Sequence, residues 1–359
     1  MSKQEYPIIL TRHIEALKSE WRRVSAEIIE SCKSTYPEGS GLALEFARSL
    51  DNPGKFIRPS IFLFGYRLGD NGPDEKILRL ALSFELLHTY LLIHDDIIDA
   101  SDLRRGVPSM HRLCEAYHKK ENLRGDSANF GTSMAVLFGD VISAKACGLW
   151  SEAGTMGLAN SHARAIFDTM HYDVCWGQYL DIMAPLGRDI PSRQIIEQIM
   201  AEKTSKYTIK NPIQSGAIQG GLSPEKTFWM EEFGKQLGIA FQIADDILGV
   251  YGEPAITGKD ASSDLREGKA TFLVWSALES ADEDDKKIIS DFYTGNDRSA
   301  SAVIRVKEIF DKYGVREKAL AIANEYKERA LATIVDAPIS ETYKEELATF
   351  ANFVVMRNQ

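Results

Sequence analysis

Two aspartate doublets set the chemistry open to this chain: Asp95-Asp96-Ile97-Ile98-Asp99 and Asp245-Asp246-Ile247-Leu248-Gly249. Each follows an apolar run, where an unpaired carboxylate is costly to bury. Clustered like charges also repel until a cation neutralises them. On a helix, Asp95 and Asp99 fall one turn apart on one face, with His88 two turns earlier and Asp96 to the side. Oxygen donors so spaced suit Mg²⁺, which takes one or two carboxylates and completes its shell with water and phosphate. In the second doublet Gln242, Asp245 and Gly249 share a stripe, with Asp246 beside it. Gly234 and Gly238, four apart, allow close helix approach.

Basic residues accompany both doublets. Arg104-Arg105-Gly106 follows the first. Guanidinium groups beside a carboxylate–metal cluster make sense if both meet one polyanion. Lys259 and Lys269 lie in the Gly-rich stretch after the second. Lys55 and Arg58 stand three apart where a helix begins, a place that attracts anions. Lys203-Thr204 precedes Tyr207, Lys210, Asn211 and Pro212, a proline that bends its helix. Gln178 and Asp181 add polar groups on another helix. Each feature alone also reads as a solvated helix end or a polar loop. A His–Asp metallohydrolase, using His88, His94, His111 and His118, is the weaker alternative for the first doublet.

The chain has 359 residues, with 44% apolar, 26% charged and a formal net charge of −10, values that suit a globular protein and not a nucleic-acid binder. Cys32, Cys114, Cys147 and Cys175 form no CxxC pair, which fits a reducing compartment and a cytoplasmic protein. No signal-peptide core is visible, and the apolar stretches read as too interrupted to span a membrane.

Helical periodicity dominates and β alternation is scarce. Helices are expected over Ile77–Asp102, Asn129–Trp150, Ser161–Met183, Arg193–Lys210, Lys226–Val250, Thr271–Ala281 and Val303–Ile334. Turn signals separate them, and no low-complexity linker divides the chain. The expectation is one all-α domain over residues 1–359, with the motifs between about residues 50 and 275.

The ordered set resembles the trans-isoprenyl diphosphate synthases, the polyprenyl synthetase family. Its patterns are GKxxRP, ExxHxxxLxHDDxxDxxxxRRGxPxxH, GQxxD, KT, FQxxDDxL and GKxxxDLxEGK. They fall on Lys55/Arg58; Glu85, His88, Asp95, Asp96, Asp99, Arg104, Arg105, Pro108 and His111; Gln178/Asp181; Lys203/Thr204; Gln242, Asp245 and Asp246; and Lys259, Asp264 and Lys269. The resemblance implies an all-α helical bundle around a deep central cavity, usually a homodimer. It implies three Mg²⁺ ions, with Mn²⁺ as a substitute, held by Asp95, Asp99 and Asp245, flanked by Asp96 and Asp246. Arg104, Lys203 and Lys259 would bind an allylic diphosphate (dimethylallyl, geranyl or farnesyl), with Lys269 as a further substrate-binding residue. Lys55, Arg58, His88 and Arg105 would bind isopentenyl diphosphate. Thr204 and Gln242 would stabilise a carbocation.

Two departures stand out. Gly249 replaces the last aspartate of the second motif, and Phe56 stands where the family often has another arginine. Tyr90 lies five residues before Asp95, about 7–8 Å lower on a helix. With Leu91 beside it, Leu87 a turn deeper and no insertion in the first motif, it resembles the geranylgeranyl type. A farnesyl diphosphate synthase is the alternative. A class I terpene cyclase and a non-catalytic synthase subunit are more distant ones.

Overall fold

The computed structural model describes residues 6–35, 37, 40–51, 53–186, 190–252, 262–269, 271–295 and 297–356. The chain runs as α1 (Ile8–Thr11), α2 (Ile14–Thr35), α3 (Ser40–Leu50), α4 (Ile57–Arg67) and α5 (Glu75–Ile98). A two-stranded hairpin, β1 (Leu103–Arg104) and β2 (Val107–Pro108), leads to α6 (Met110–Lys120), α7 (Ser127–Thr155) and α8 (Ser161–Met183). Next come α9 (Arg193–Ile199), a π-helix (Met200–Lys210), α10 (Asn211–Gln219) and α11 (Trp229–Tyr251). The last helices are α12 (Ser263–Glu267), α13 (Phe272–Ser280), α14 (Glu283–Thr294), α15 (Ala300–Lys312), α16 (Val315–Ile334) and α17 (Glu341–Met356).

Two apolar cores hold these helices. One gathers Trp21, Phe46, Phe62, Phe84, Trp150 and Phe167 from the N-terminal half. The other gathers Phe64, Ile213, Phe233, Leu237, Phe310 and Phe350. Helix α4 is buried from Ile57 to Gly65 and serves both: Phe62 and Leu63 face one core, Ile61 and Phe64 the other. Phe56 is buried beside Trp21, with ring centroids 5.9 Å apart, so it cannot replace an arginine in a site.

Four sequence expectations need correction. The helix expected to reach Asp102 ends at Ile98, with Asp99 as its C-cap. The hairpin follows because Arg105 and Gly106 both take positive φ, at 55° and 78°, the requirement of a tight two-residue turn. The helix expected over Arg193–Lys210 changes to π geometry at Met200. Pro212 lacks the N–H that an unbroken α-helix would donate to Thr208. The helix expected over Val303–Ile334 is two helices, broken at Gly314, where φ is 61°. Finally, α5 and α7 are long and apolar enough to cross a membrane by length and composition. More than half of the α5 stretch is buried inside the fold; α7 keeps more of its apolar face outside.

Candidate active site

The π-helix is the centre of the site. It lies against α8 on one side and α11 on the other, and small residues permit this. A Cβ at Gly177 would overlap the backbone of Lys203, and one at Gly238 would overlap Ser205. The close approach expected of Gly238 is therefore present. Lys203 and Thr204 then reach opposite acidic helices. Lys203 Nζ donates to Asp181 Oδ2 at 2.6 Å and stands 3.3 Å from Asp95 Oδ1 on α5. Thr204 Oγ1 donates to Gln242 Oε1 on α11 at 2.6 Å, and Gln242 Nε2 donates to Asp246 Oδ1 at 2.7 Å.

At the end of α5 the carboxylates meet cations. Arg104 Nε donates to Asp96 Oδ1 at 2.9 Å, and its Nη2 also reaches Asp96 and lies 3.8 Å from Asp95 Oδ2. Lys269 Nζ donates to Asp99 Oδ2 at 2.7 Å and pairs with Glu267 at 2.8 Å. Burial opposes the Asp95 charge, but Lys203, Lys269 and Arg104 overcome it and hold this carboxyl below its usual value. Burial pushes the Asp99 carboxyl up, against the pull of Lys269 and with the help of the Asp95 charge. Burial also works against the charge on Lys203, yet Asp95 and Asp181 raise its pKa.

A second basic cluster lies one helix turn and more below. Arg58 Nη2 donates to Thr208 Oγ1 at 2.9 Å, and its guanidinium carbon sits 4.2 Å from the centre of the Tyr207 ring. Tyr207 Oη is 3.5 Å from His88 Nδ1. Burial, then the charges of Arg58, Arg105 and Arg104, drive the His88 pKa well below its usual value, so the ring is neutral near pH 7. The pair Tyr207 and Thr208 was not a sequence candidate for this role; only their place four and five residues after Lys203 could have signalled it.

The remaining candidates divide clearly. Tyr90 is partly buried, its ring centroid 4.6 Å from His94 and 6.4 Å from His171. Leu87 is fully buried below it and Leu91 partly buried beside it. Asp245 is half-buried on α11, one position before buried Asp246. Lys55 is exposed just before α4. His94 turns away, with Nε2 3.3 Å from the Val136 carbonyl, and His111 and His118 hold local contacts. Lys259 and the side chain of Asp264 lie outside the described residues.

Among the described residues, no three His, Cys, Asp or Glu side chains converge as a ready cage for a metal ion. That still fits Mg²⁺, which keeps much of its shell for water and phosphate. The donors are hard oxygens, and Asp95 Oδ1 is buried without a well-formed hydrogen bond.

The fold and this doubled acidic–basic arrangement define a class of enzymes that handle diphosphates. Residues 42–312 match the polyprenyl synthetase family. A short chain isoprenyl diphosphate synthase of Methanothermobacter thermautotrophicus is 33% identical over 305 residues, 85% of this chain and 86% of that one. A geranylgeranyl diphosphate synthase of Saccharolobus solfataricus is 31% identical over 309 residues, covering 85% and 87%. The crystal structure of a geranylgeranyl pyrophosphate synthase from Corynebacterium glutamicum, complexed with isoprenyl diphosphate and magnesium, superposes with a TM-score of 0.86 at 30% identity, covering 96% of this chain and 99% of that one. The chain belongs to the polyprenyl synthetase family. It is an all-α trans-prenyltransferase.

Proposed function

We propose that this enzyme condenses isopentenyl diphosphate with an allylic diphosphate, head to tail, to give geranylgeranyl diphosphate. The observation that carries this reading is that one π-helix touches two basic sites: its Lys203 stands beside Asp95, and its Tyr207 and Thr208 hold Arg58 of α4. Two anion sites so close suit two diphosphate substrates. A cyclase needs only one.

We assign Asp95 and Asp99 on α5 and Asp245 on α11 as the ligands of three Mg²⁺ ions, flanked by Asp96 and Asp246. Bound Mg²⁺ supplies positive charge against the leaving pyrophosphate. Lys203 and Arg104 add fixed cations at the same place, and Lys259 and Lys269 are assigned alongside them. Loss of pyrophosphate leaves an allylic cation. Thr204 and Gln242 present oxygen dipoles toward it. Arg58, Arg105, Lys55 and neutral His88 hold isopentenyl diphosphate so that its double bond attacks that cation, a contribution of proximity. The proton lost afterwards goes to pyrophosphate, so no side-chain base is required. Water must be kept from this cation, or it would be quenched to an alcohol.

The chain-length reading rests on Tyr90. Beneath its ring, His171 packs on Phe167 at 5.4 Å, and Phe167 packs on Trp150 and Phe84 at 5.5 and 5.3 Å. This aromatic stack supports a floor for the growing tail. The exposed apolar side chains Leu137 and Val141 on α7, with Tyr172, Trp176 and Tyr179 on α8, support a homodimer through this face. The sharing of α4 between both cores supports one domain. Four free cysteines support a cytoplasmic location.

The test is an incubation of purified protein with Mg²⁺, radiolabelled isopentenyl diphosphate and each allylic diphosphate, with products resolved by length. Elongation to twenty carbons is the expected result. A cyclic hydrocarbon formed without isopentenyl diphosphate, or turnover only after a partner protein is added, would reject the reading.

A further inference from the structure

Glu85 is a buried carboxylate that the reaction above does not use. It sits on α5 one turn before Thr89, with 2% of its surface exposed. The Gly54 amide donates a hydrogen bond to it, and its Oε2 is buried without a hydrogen-bond partner. A Cβ placed on Gly54 would lie 2.6 Å from Arg105 Nη2 and 2.9 Å from Glu85 Oε1. The guanidinium and the carboxylate therefore pack together over a residue that has no side chain. Arg105 reaches this point from the hairpin turn, in a left-handed conformation that arginine rarely adopts. Arg58 adds a second positive charge nearby, its Nε buried without a partner.

Crowded cations repel one another when no substrate is bound. A buried carboxylate among them lowers that repulsion and fixes where each cation points. Burial pushes the Glu85 pKa up, and Arg58, Arg105 and the Gly54 amide offset only part of that rise. We propose that Glu85 is a positioning residue: it holds Arg105 and the Gly54-Lys55 turn in place, so that the isopentenyl diphosphate cradle exists before that substrate arrives. This rests on the assignment of Arg58, Arg105 and Lys55 to isopentenyl diphosphate.

Two variants approach the contact from opposite sides. Glu85→Gln keeps the volume and removes the charge. Gly54→Ala keeps the charge and pushes Arg105 and Glu85 aside. Arg58→Ala serves as the reference for the site itself. Steady-state kinetics are measured for each with both substrates varied, beside a thermal melt. Both variants should raise KM for isopentenyl diphosphate by about tenfold or more while KM for the allylic diphosphate moves by less than about threefold. If Arg58→Ala shows that selective rise and neither other variant does, Glu85 has no positioning role. Equal losses for both substrates, following a lowered melting point, would assign Glu85 to the core and overturn the proposal. If Arg58→Ala leaves both KM values unchanged, the site assignment falls and the proposal falls with it.

Discussion

Lys203 and Thr204 are neighbours in the chain yet reach opposite acidic helices. Lys203 Nζ stands 3.3 Å from Asp95 on α5, and Thr204 donates to Gln242 on α11 at 2.6 Å. The π-helix spreads consecutive side chains differently from an α-helix, and such segments recur at functional sites. Removing the cation while keeping the helix should separate its two tasks. Lys203→Ala should lower kcat by roughly 10²–10³-fold, the usual loss for one electrostatic contact to a developing anion. Single-turnover kinetics check this. An unchanged chemical step would remove Lys203 from the leaving-group site.

Tyr90 makes a second prediction. Tyr90→Ala opens space above His171 and the Phe167–Trp150 stack. Products should lengthen beyond twenty carbons, as read by chromatography of the dephosphorylated alcohols. An unchanged product length would make Tyr90 a packing residue only.

The wedge between α8 and α11 predicts a stability effect. In Gly238→Ala the new methyl meets Ser205, whose hydroxyl donates to the Gly234 and Lys235 carbonyls at 2.9 Å. The cost should be about 1–3 kcal/mol, as for other overpacked cores. Denaturant melts measure it, and activity should fall with it because Thr204 shifts from Gln242. A melt identical to the parent would contradict the close approach.

His88 gives a pH prediction. Its native pKa lies well below 6.5, so the unfolded chain binds more protons as the solution is acidified. Stability from this group is complete above pH 6.5 and is lost as pH falls below it, at up to about 1.4 kcal/mol per pH unit. The groups that face it are Arg58, Arg104, Arg105 and the Tyr207 hydroxyl. His13, His111 and His171 are shifted the same way and add to the trend. His88→Asn should flatten the acid limb of stability measured by chemical denaturation. An unchanged limb would show that His88 carries none of it.

Much of this was legible in the chain. Periodicity places α8 at Ser161–Met183, its observed bounds, and the doublets mark the ends of α5 and α11. The spacing of Gly234 and Gly238 signals the close packing of α11. What periodicity misses is short or irregular. The strands at Leu103–Arg104 and Val107–Pro108 hold two residues each, too few to alternate. A π-helix has no sequence period of its own, so the pairing of Arg58 with Tyr207 and Thr208 stayed hidden. Thr208 and Arg58 are 150 positions apart, and only folding brings them together.

The central claim is that α5 and α11 grip one diphosphate through divalent cations. A crystal grown with Mg²⁺ and a non-hydrolysable allylic thiodiphosphate tests it most directly. Metal density bonded to Asp95 and Asp99 on one side and to Asp245 on the other, all bridged by the same diphosphate, is the predicted result. A diphosphate bound elsewhere, with no metal density at these three carboxylates, would contradict it.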